Sequence, residues 1–241
     1  MIRLLVVLLL TVLPLHTDIR SLQTPTYKMV DIEYMRRILT GRIDYRGDAN
    51  FVKVQPEHTV REMYLEQRTY NAFLHMHAAA LADGIRLTII SGARNFDYQR
   101  RIWEGKWSSL RGNSVTDKAS SILRYSSMPS TSRHHWGTDI DLNRLDNGYF
   151  EQGKGLEEYE WLCANASRFG FCQVYTHKAE SGRTGYEMEK WHWSYMPVAS
   201  GLLWHYIRLI NHQDIKQFSG AEVASELDII GQYVLGISSC N

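Results

Sequence analysis

The sequence predicts an α+β fold, in which helices pack on a small sheet. Segments whose apolar residues recur at helical spacing are interspersed with short runs of apolar and β-branched residues that suit buried strands. The chain has 241 residues, of which 44% are hydrophobic, and this is enough for one substantial core. We therefore expect one domain with helical additions rather than two domains.

Helical periodicity marks the longer elements. The clearest pattern lies between residues 59 and 82 and ends at Asp83 and Gly84. Its apolar face comprises Tyr70, Phe73, Leu74, His77, Ala80 and Leu81. Gly170 is well placed to end a later helical pattern, the one at 156–169. We expect helices at 31–39, 59–82 and 156–169, and in the tail at 202–210 and 222–236. A further helix is expected after the loop that follows Ser91.

Short apolar runs predict the strands. We expect them at 86–91, 138–143, 171–175 and 191–196, where β-branched and aromatic residues are frequent. The segment 106–132 is rich in Ser, Gly and Lys and shows little periodicity. We expect an exposed connection there, and long loops of this kind often border binding sites.

The first residues are typical of a secretory signal peptide. Arg3 precedes an apolar run from Leu4 to Leu13, which is shorter than the roughly 20 apolar residues that span a bilayer. We expect a signal peptide at 1–20, and after its removal no stable membrane span. The remainder divides into a domain at 21–200 and a C-terminal helical extension at 201–241.

The charge balance argues against nucleic acid as a partner. Lys and Arg number 27 and Asp and Glu number 26, which gives a formal net charge of +1. A chain without excess positive charge has no general means of holding a polyanion through its phosphates.

The three cysteines are Cys163, Cys172 and Cys240. In an oxidising compartment they allow one disulfide and one free thiol, with the pairing left open. The alternative is that they are small buried apolar residues, because their spacing matches no zinc-finger pattern.

Histidine and acidic residues concentrate in two segments, 132–141 and 189–193. Zinc suits such a mixture, because a catalytic zinc commonly takes three imidazole or carboxylate ligands and keeps one open position. In the second segment, Glu189 precedes His192 by three residues and would lie on the turn before a strand. Its carboxylate can then take a proton from an attacking water and pass it to a leaving amine, while His192 holds the metal.

The spacing of residues within 132–141 tests whether this segment can supply two metal ligands. His134 and Asp141 are seven residues apart and would lie on opposite faces of an uninterrupted strand. Gly137 can bend the chain so that both side chains point into one cavity. Periodicity alone does not choose between His134 and His135, or between Asp141 and Asp139.

The two segments fit a known pattern. Ser132, His134, Gly137 and Asp141 form S-x-H-x-x-G-x-x-x-D, and Glu189, Trp191, His192 and Tyr195 form E-x-W-H-x-x-Y. Over roughly residues 86–195 the chain resembles the VanY-type D-alanyl-D-alanine carboxypeptidases of zinc peptidase family M15. The resemblance implies an antiparallel sheet that bears the zinc site, as in M15 and Hedgehog domains. It also implies that His134, Asp141 and His192 are the zinc ligands and that Glu189 is the catalytic base.

Further matches to the family imply substrate contacts. Arg94 and Gln99 follow a buried strand, and the resemblance implies that both bind substrate and that Arg94 also acts in catalysis. A guanidinium can make a bidentate contact with a terminal carboxylate or a peptide carbonyl, which Lys does not reproduce. The other residues for which the resemblance implies substrate contact are Ser132, Tyr175 and Tyr186.

The chain departs from the family pattern beside the two motifs. Asp139 stands where members usually carry a small residue, Lys190 where they carry Pro, and Ser194 where they carry Arg. None of the three is a ligand position in the pattern. The departures therefore bear on substrate specificity more than on metal binding.

The expected activity is zinc-dependent hydrolysis of a peptidoglycan stem peptide, with removal of a C-terminal D-alanine preferred. L,D-carboxypeptidase and endopeptidase activities remain open, because the same metal chemistry serves any amide that fits. A non-catalytic, zinc-stabilised cell-wall binding module is the alternative from another class, and the presence of Glu189 favours the enzyme. We expect a monomer in the periplasm or cell envelope of a bacterium.

Overall fold

The structure, a computed structural model, describes residues 31–111 and 114–240. The signal peptide expected at 1–20 lies outside these residues. In the two described ranges, no helix is both long and apolar enough to cross a membrane.

Short strands and longer helices make up the described part of the chain. The strands are β1 (Phe51–Lys53), β2 (Tyr64–Glu66), β3 (Ile89–Ser91), β4 (Asp139–Leu142), β5 (Phe171–Cys172) and β6 (His192–Tyr195). The helices are α1 (Ile32–Leu39), α2 (Gln67–Ala82), α3 (Phe96–Ser109), α4 (Val115–Ile122), α5 (Gly153–Asn165), α6 (Lys178–Ser181) and α7 (Met196–Leu209). β1 pairs with β2, and the other strands form one antiparallel sheet in the order β3-β4-β6-β5. The predicted α+β class is confirmed.

Side chains alternate between the two faces of the four-stranded sheet. Ile140 and Leu142 of β4 and Trp193 of β6 point into the main core, where they pack with residues of α2 and α5. Asp141 lies directly opposite His192 in the antiparallel register of β4 and β6. Residues opposite each other on one face are close neighbours, so the register alone brings these two polar side chains together.

Helix α2 begins later than its sequence pattern indicates. The Glu66 side chain accepts a hydrogen bond from the Thr69 N–H and caps the helix, so residues 59–66 form other structure, including β2. Phe73 and Ala80 are fully buried, but Leu81 is 52% exposed. The placement of Leu81 on the core face is wrong, because it lies about 100° around the helix from Ala80.

The segment 106–132 is more regular and more buried than expected. Its first residues continue α3 and its middle forms α4, whose first turn is capped by the Ser114 side chain. Leu123 and Met128 are fully buried. The prediction of an exposed connection is wrong because a few large apolar side chains anchor a stretch whose other residues are small and polar.

The C-terminal tail packs on the rest of the molecule without forming the second long helix that was predicted. The pattern at 222–236 forms turns, a 3₁₀ helix at Ala221–Val223 and one π-helical stretch at Ile230–Val234. Its apolar residues join a core cluster that also contains Tyr175 and Tyr186, so tertiary packing outweighs local periodicity here. Helix α7 runs without a break across residues 200 and 201, the predicted boundary between the domain and the extension.

A disulfide ties this tail to the sheet. Cys172 of β5 and Cys240 are bonded, and Cys163 is an exposed free thiol. One disulfide with one free thiol is therefore the arrangement present, and the alternative of three buried apolar cysteines is wrong. Near the same place, the Ser238 N–H donates to the Val174 carbonyl at 2.9 Å.

Removal of the disulfide should destabilise the protein without touching the polar face of the sheet. The bond joins residues 68 apart, so the Cys172→Ala/Cys240→Ala variant should lose about 3 to 4 kcal/mol of unfolding free energy through the freer unfolded chain. Urea unfolding under non-reducing conditions measures the loss. Cys163→Ala is the matched control and should keep the wild-type midpoint; an unchanged midpoint in the double variant would contradict the bond.

Candidate metal and catalytic site

Three buried side chains converge on the polar face of the sheet. They are His134, Asp141 and His192, and their ligand atoms lie within 4.8 Å of one another. His134 Nε2 is 3.4 Å from Asp141 Oδ1, and His192 Nδ1 is 3.0 Å from the same oxygen. All three are at most 3% exposed, so the group is enclosed by protein on nearly every side.

Gly137 makes the convergence of the first two residues possible. His134 lies in the 3₁₀ helix Arg133–Trp136, and Gly137 follows it with a φ of 71°. This left-handed conformation favours glycine and turns the chain into β4. The position is also crowded, because a Cβ there would lie 2.5 Å from the Phe51 ring. The predicted bend between His134 and Asp141 is confirmed.

The hydrogen bonds of the two adjacent histidines separate their roles. The His134 Nδ1–H donates to the Gly92 carbonyl at 2.9 Å, which leaves Nε2 facing Asp141. His135 uses both nitrogens elsewhere: its Nδ1–H donates to the Arg94 carbonyl, and its Nε2 accepts from the Ser130 N–H at 3.1 Å. Because a ligand nitrogen needs a free lone pair, the structure favours His134 over His135.

Asp139 and Asp141 lie two residues apart on β4 and therefore share its polar face. The His192 ring lies between them: Nδ1 faces Asp141, and Nε2 is 2.9 Å from Asp139 Oδ2. Asp139 also accepts a hydrogen bond from Arg133 Nε at 2.9 Å. Asp141 is thus the carboxylate that reaches both His134 and His192, whereas Asp139 contacts only the outer nitrogen of His192.

The electrostatics of this group favour ionised carboxylates. Burial alone would raise the pKa of Asp139, but the Arg133 guanidinium and His192 hold it below its usual range. Burial would likewise raise the pKa of Asp141, and His134 and His192 hold it low. For His192, burial opposes the charged form, yet hydrogen bonds to both carboxylates raise its pKa to about 9.

The donor set and its spacing fit a divalent metal. Two imidazole nitrogens and one carboxylate oxygen are typical ligands of a catalytic zinc, and tetrahedral bonds of about 2.1 Å place ligand atoms roughly 3.4 Å apart. The separations of 3.4 and 3.0 Å from Asp141 Oδ1 are close to that value. The outer nitrogen of each histidine is occupied by a protein acceptor, as is usual for metal-binding imidazoles.

Glu189 lies beside the ligands on the turn before β6, as predicted. Its Oε2 is 3.6 Å from His192 Nδ1. Its backbone is held on both sides, because its N–H donates to the Tyr175 carbonyl and its carbonyl accepts from Gln173 Nε2. Burial raises the pKa of Glu189 to about 7, although His192 opposes the rise. A carboxylate so placed and so tuned is suited to proton transfer near neutral pH.

The site opens into a cavity of about 650 Å³. All the residues for which a role was predicted line it: Arg94, Gln99, Ser132, His134, Asp141, Tyr175, Tyr186, Glu189 and His192. Several buried polar atoms around it have no hydrogen-bond partner within the described ranges: Arg94 Nε, Gln99 Oε1, Ser132 Oγ, Arg133 Nη1 and Tyr186 Oη. Buried polar groups are nearly always paired, so such a concentration is typical of a site that pairs them with a ligand or with water.

Arg94 combines a structural contact with a free donor. Its Nη1 donates to Ser91 Oγ at 2.9 Å and is 3.6 Å from Asp141 Oδ2. One edge of the guanidinium therefore supports a ligand residue, while Nε remains available at the cavity wall. The aromatic wall consists of Tyr175, whose ring centroid is 4.6 Å from that of His192, and Tyr186, 5.0 Å from Tyr175.

Sequence reasoning missed some residues of the site. Arg133 is fully buried, lines the cavity and pairs with Asp139. Lys106 also lines the cavity, and its ammonium donates to Ser126 Oγ at 2.5 Å. Asn147 bonds the Met188 carbonyl and the Lys190 N–H and so braces the turn that carries Glu189. The signal in the sequence is the set of three departures from the family pattern: Asp139 and Ser194 bond Arg133, and the Lys190 N–H bonds Asn147.

Comparison with known sequences places the chain in a family. The family model described as "VanY: D-alanyl-D-alanine carboxypeptidase" matches residues 62–198, more than half of the chain. A D-alanyl-D-alanine carboxypeptidase of Enterococcus faecalis (strain ATCC 700802 / V583) is 32% identical over 123 residues, which cover 50% of this chain and 44% of that protein. The chain spans about half the length of the curated relatives it matches.

Solved structures with a similar fold include those of two peptidases. A variant of the vancomycin-resistance D,D-pentapeptidase VanY, in complex with Zn(II), aligns with a TM-score of 0.50 at 24% identity, covering 72% of this chain and 93% of that one. The LD-carboxypeptidase LdcB aligns with a TM-score of 0.51 at 20% identity, covering 83% and 81%. These likenesses confirm the predicted fold. By the family match, the chain belongs to the VanY D-alanyl-D-alanine carboxypeptidase family.

Proposed function

We propose that this protein is a zinc-dependent peptidase that removes the C-terminal D-alanine from peptidoglycan stem peptides. The observation that carries the proposal is the meeting of His134, Asp141 and His192 with Glu189 in one cavity. Membership of the VanY family and the name of the Enterococcus faecalis relative support the carboxypeptidase reaction. Zn(II) in a VanY structure of similar fold supports zinc as the metal.

The reaction divides into metal chemistry and proton transfer. His134, Asp141 and His192 would hold the zinc, which would supply Lewis acidity for the scissile carbonyl and for the attacking water. Glu189 takes the proton of that water and delivers it to the leaving amine, and its raised pKa of about 7 suits both steps. No covalent intermediate with the protein is needed.

The unpaired groups of the cavity wall would orient the peptide. Arg94 Nε can donate to a terminal carboxylate or a peptide carbonyl. Gln99 is fixed by the hydrogen bond from its Nε2 to the Ser127 carbonyl at 2.8 Å, which directs Oε1 toward a substrate N–H. Ser132 and Tyr186 add hydroxyl groups that either donate or accept. Tyr175 packs against the His192 ring and forms an apolar surface for a side chain.

A zinc assay coupled to product analysis tests the proposal. The purified protein should contain one equivalent of zinc, and mass analysis of digested muropeptides should show loss of one terminal D-alanine from pentapeptide stems. Loss of D-alanine from tetrapeptide stems would show L,D-carboxypeptidase activity instead, and cleavage of cross-linked dimers would show endopeptidase activity. Tight muropeptide binding without turnover by the zinc-loaded protein would favour the binding-module alternative.

Arg94→Lys should lower kcat/KM for the peptide by about 10- to 100-fold, mainly through KM. Lys keeps a positive charge near Asp141, but it lacks the planar guanidinium that can donate to Ser91 and to substrate at the same time. The charge-assisted hydrogen bond to substrate that would be lost is worth about 1.5–3 kcal/mol. Steady-state kinetics on a pentapeptide stem measures the change. Arg100→Lys, on the exposed side of α3, the helix that begins just after Arg94, is the control and should leave both constants unchanged. An equal effect of the two variants would argue against substrate contact by Arg94.

We further propose that the protein acts as a monomer in the periplasm or cell envelope. The Cys172–Cys240 disulfide supports an oxidising compartment, and the substrate class proposed here is found outside the cytoplasmic membrane. Fractionation of the producing cells and sedimentation of the purified protein test the two statements separately.

A further inference from the structure

The outer side of His192 is held by a buried polar network that the reaction described above does not use. Asp139 lies at its centre and is completely buried. Its Oδ2 accepts from Arg133 Nε and faces His192 Nε2, each at 2.9 Å. Its Oδ1 accepts from the hydroxyl groups of Thr138 and Ser194, at 2.9 and 2.7 Å.

From this geometry we propose that Asp139 is a positioning residue for the metal: it fixes the His192 ring and keeps the proton on Nε2, so that Nδ1 presents a lone pair to zinc. The proposal rests on the proposed function, in which His192 is a zinc ligand. It assigns Asp139 a task distinct from that of Asp141, the carboxylate two residues further along β4.

The directions of the hydrogen bonds support this assignment. An ionised carboxylate only accepts, so the Nε2 that faces Asp139 must carry a hydrogen. Without a metal the same holds for the Nδ1 that faces Asp141, but zinc would take the place of that hydrogen, because Nδ1 and Asp141 are both proposed ligands. Nδ1 lies on the opposite side of the ring, 3.0 Å from Asp141 Oδ1 and 3.6 Å from Glu189 Oε2. A carboxylate that bonds the outer nitrogen of a metal-binding imidazole fixes its tautomer and makes it a better ligand.

Arg133 gives the network its stability. Its side chain is 1% exposed, and its guanidinium donates to Asp139 and Ser194 and lies over the Trp136 ring. A buried carboxylate without a partner would be strongly unfavourable, and the paired guanidinium offsets that cost. Arg133 immediately precedes His134. One short segment therefore supplies the proposed ligand His134 and also Arg133, the partner of Asp139.

A purely structural ion pair is the rival explanation, and two variants that both lack the Arg133 guanidinium separate the two explanations. Arg133→Met removes the guanidinium but leaves Asp139 to accept from His192. Arg133→Met/Asp139→Leu also removes that acceptor and leaves no unpaired charge in the network. We expect zinc to bind the double variant about 10- to 100-fold more weakly than it binds Arg133→Met. Competition with a chromophoric chelator at fixed pH measures both affinities, and the visible spectrum of the Co²⁺-loaded proteins should differ between them.

Ser194→Ala is the matched control, because it removes one donor to Asp139 and leaves the contact with His192 intact. It should change zinc affinity less than about threefold, as expected for a group that contacts neither the metal nor its ligands. Equal zinc affinities of Arg133→Met and the double variant would overturn the positioning role. If the wild-type protein itself bound no zinc, the proposed function would fail instead, so the two failures are distinguishable.

A measurement on the wild-type protein keeps the test decisive if a variant does not fold. In zinc-loaded protein labelled with ¹⁵N-histidine, His192 should show a protonated Nε2 whose hydrogen exchanges slowly with water. A protonated Nδ1 with an unprotonated Nε2 would contradict the proposal directly.

Discussion

Glu189→Gln should lower kcat by about 10²- to 10⁴-fold while zinc stays bound, the range typical for loss of a general acid–base group. The amide keeps the shape of the carboxylate but cannot take a proton from water. The backbone contacts that hold position 189, to Tyr175 and Gln173, do not depend on the side chain, so the substitution should leave the turn in place. Single-turnover kinetics on a pentapeptide stem and zinc content of the purified variant measure the two expectations.

Glu187→Gln is the matched control for this variant. Glu187 precedes Glu189 by two residues but pairs with Lys178 outside the cavity. Its loss should change kcat by no more than about twofold, because a surface ion pair contributes little. If Glu189→Gln retained wild-type hydrolysis with zinc bound, the proton-transfer role of Glu189 would be wrong, and another group in the cavity would have to act as the base.

The parts of the site that the sequence predicts are those set by backbone geometry over short distances. The sequence predicts a bend at Gly137, because side chains seven residues apart on a straight strand point to opposite faces, and the φ of 71° at Gly137 provides that bend. Glu189 was placed on a turn because His192 begins a strand three residues later. In both cases the local period of a strand restricts where the neighbouring side chains point.

Local sequence patterns do not predict the features of the site and fold that depend on tertiary contacts. Asp139 and Asp141 share one face of β4, so no period distinguishes them; the difference arises from Arg133, which meets Asp139 in space. The apolar pattern at 222–236 likewise fits a helix, but its residues pack behind Tyr186 in turns and a π-helical stretch. Local propensity is a weak prior where burial against a preformed surface is available.

His134→Ala should lose zinc and lower kcat/KM by about 10³-fold or more, because Lewis-acid stabilisation of the transition state is worth several kcal/mol. Its neighbour provides an informative comparison. His135 is as deeply buried as His134, and its Nδ1–H also donates to a backbone carbonyl. Its Nε2, however, accepts from the Ser130 N–H and is not part of the ligand group. Zinc titration, kinetics and thermal unfolding of the two alanine variants measure the contrast.

The two variants should fail in different ways. His135→Ala leaves the Ser130 N–H and the Arg94 carbonyl unpaired, each at a cost of about 1–3 kcal/mol, so it should melt at a lower temperature and yet bind zinc. His134→Ala leaves the Gly92 carbonyl without its donor and should be destabilised less once zinc is removed from both proteins. Loss of zinc from His135→Ala with retention by His134→Ala would reverse the ligand assignment. Loss from both, with folding intact, would mean that the 3₁₀ helix Arg133–Trp136 acts as a single unit in placing the ligand.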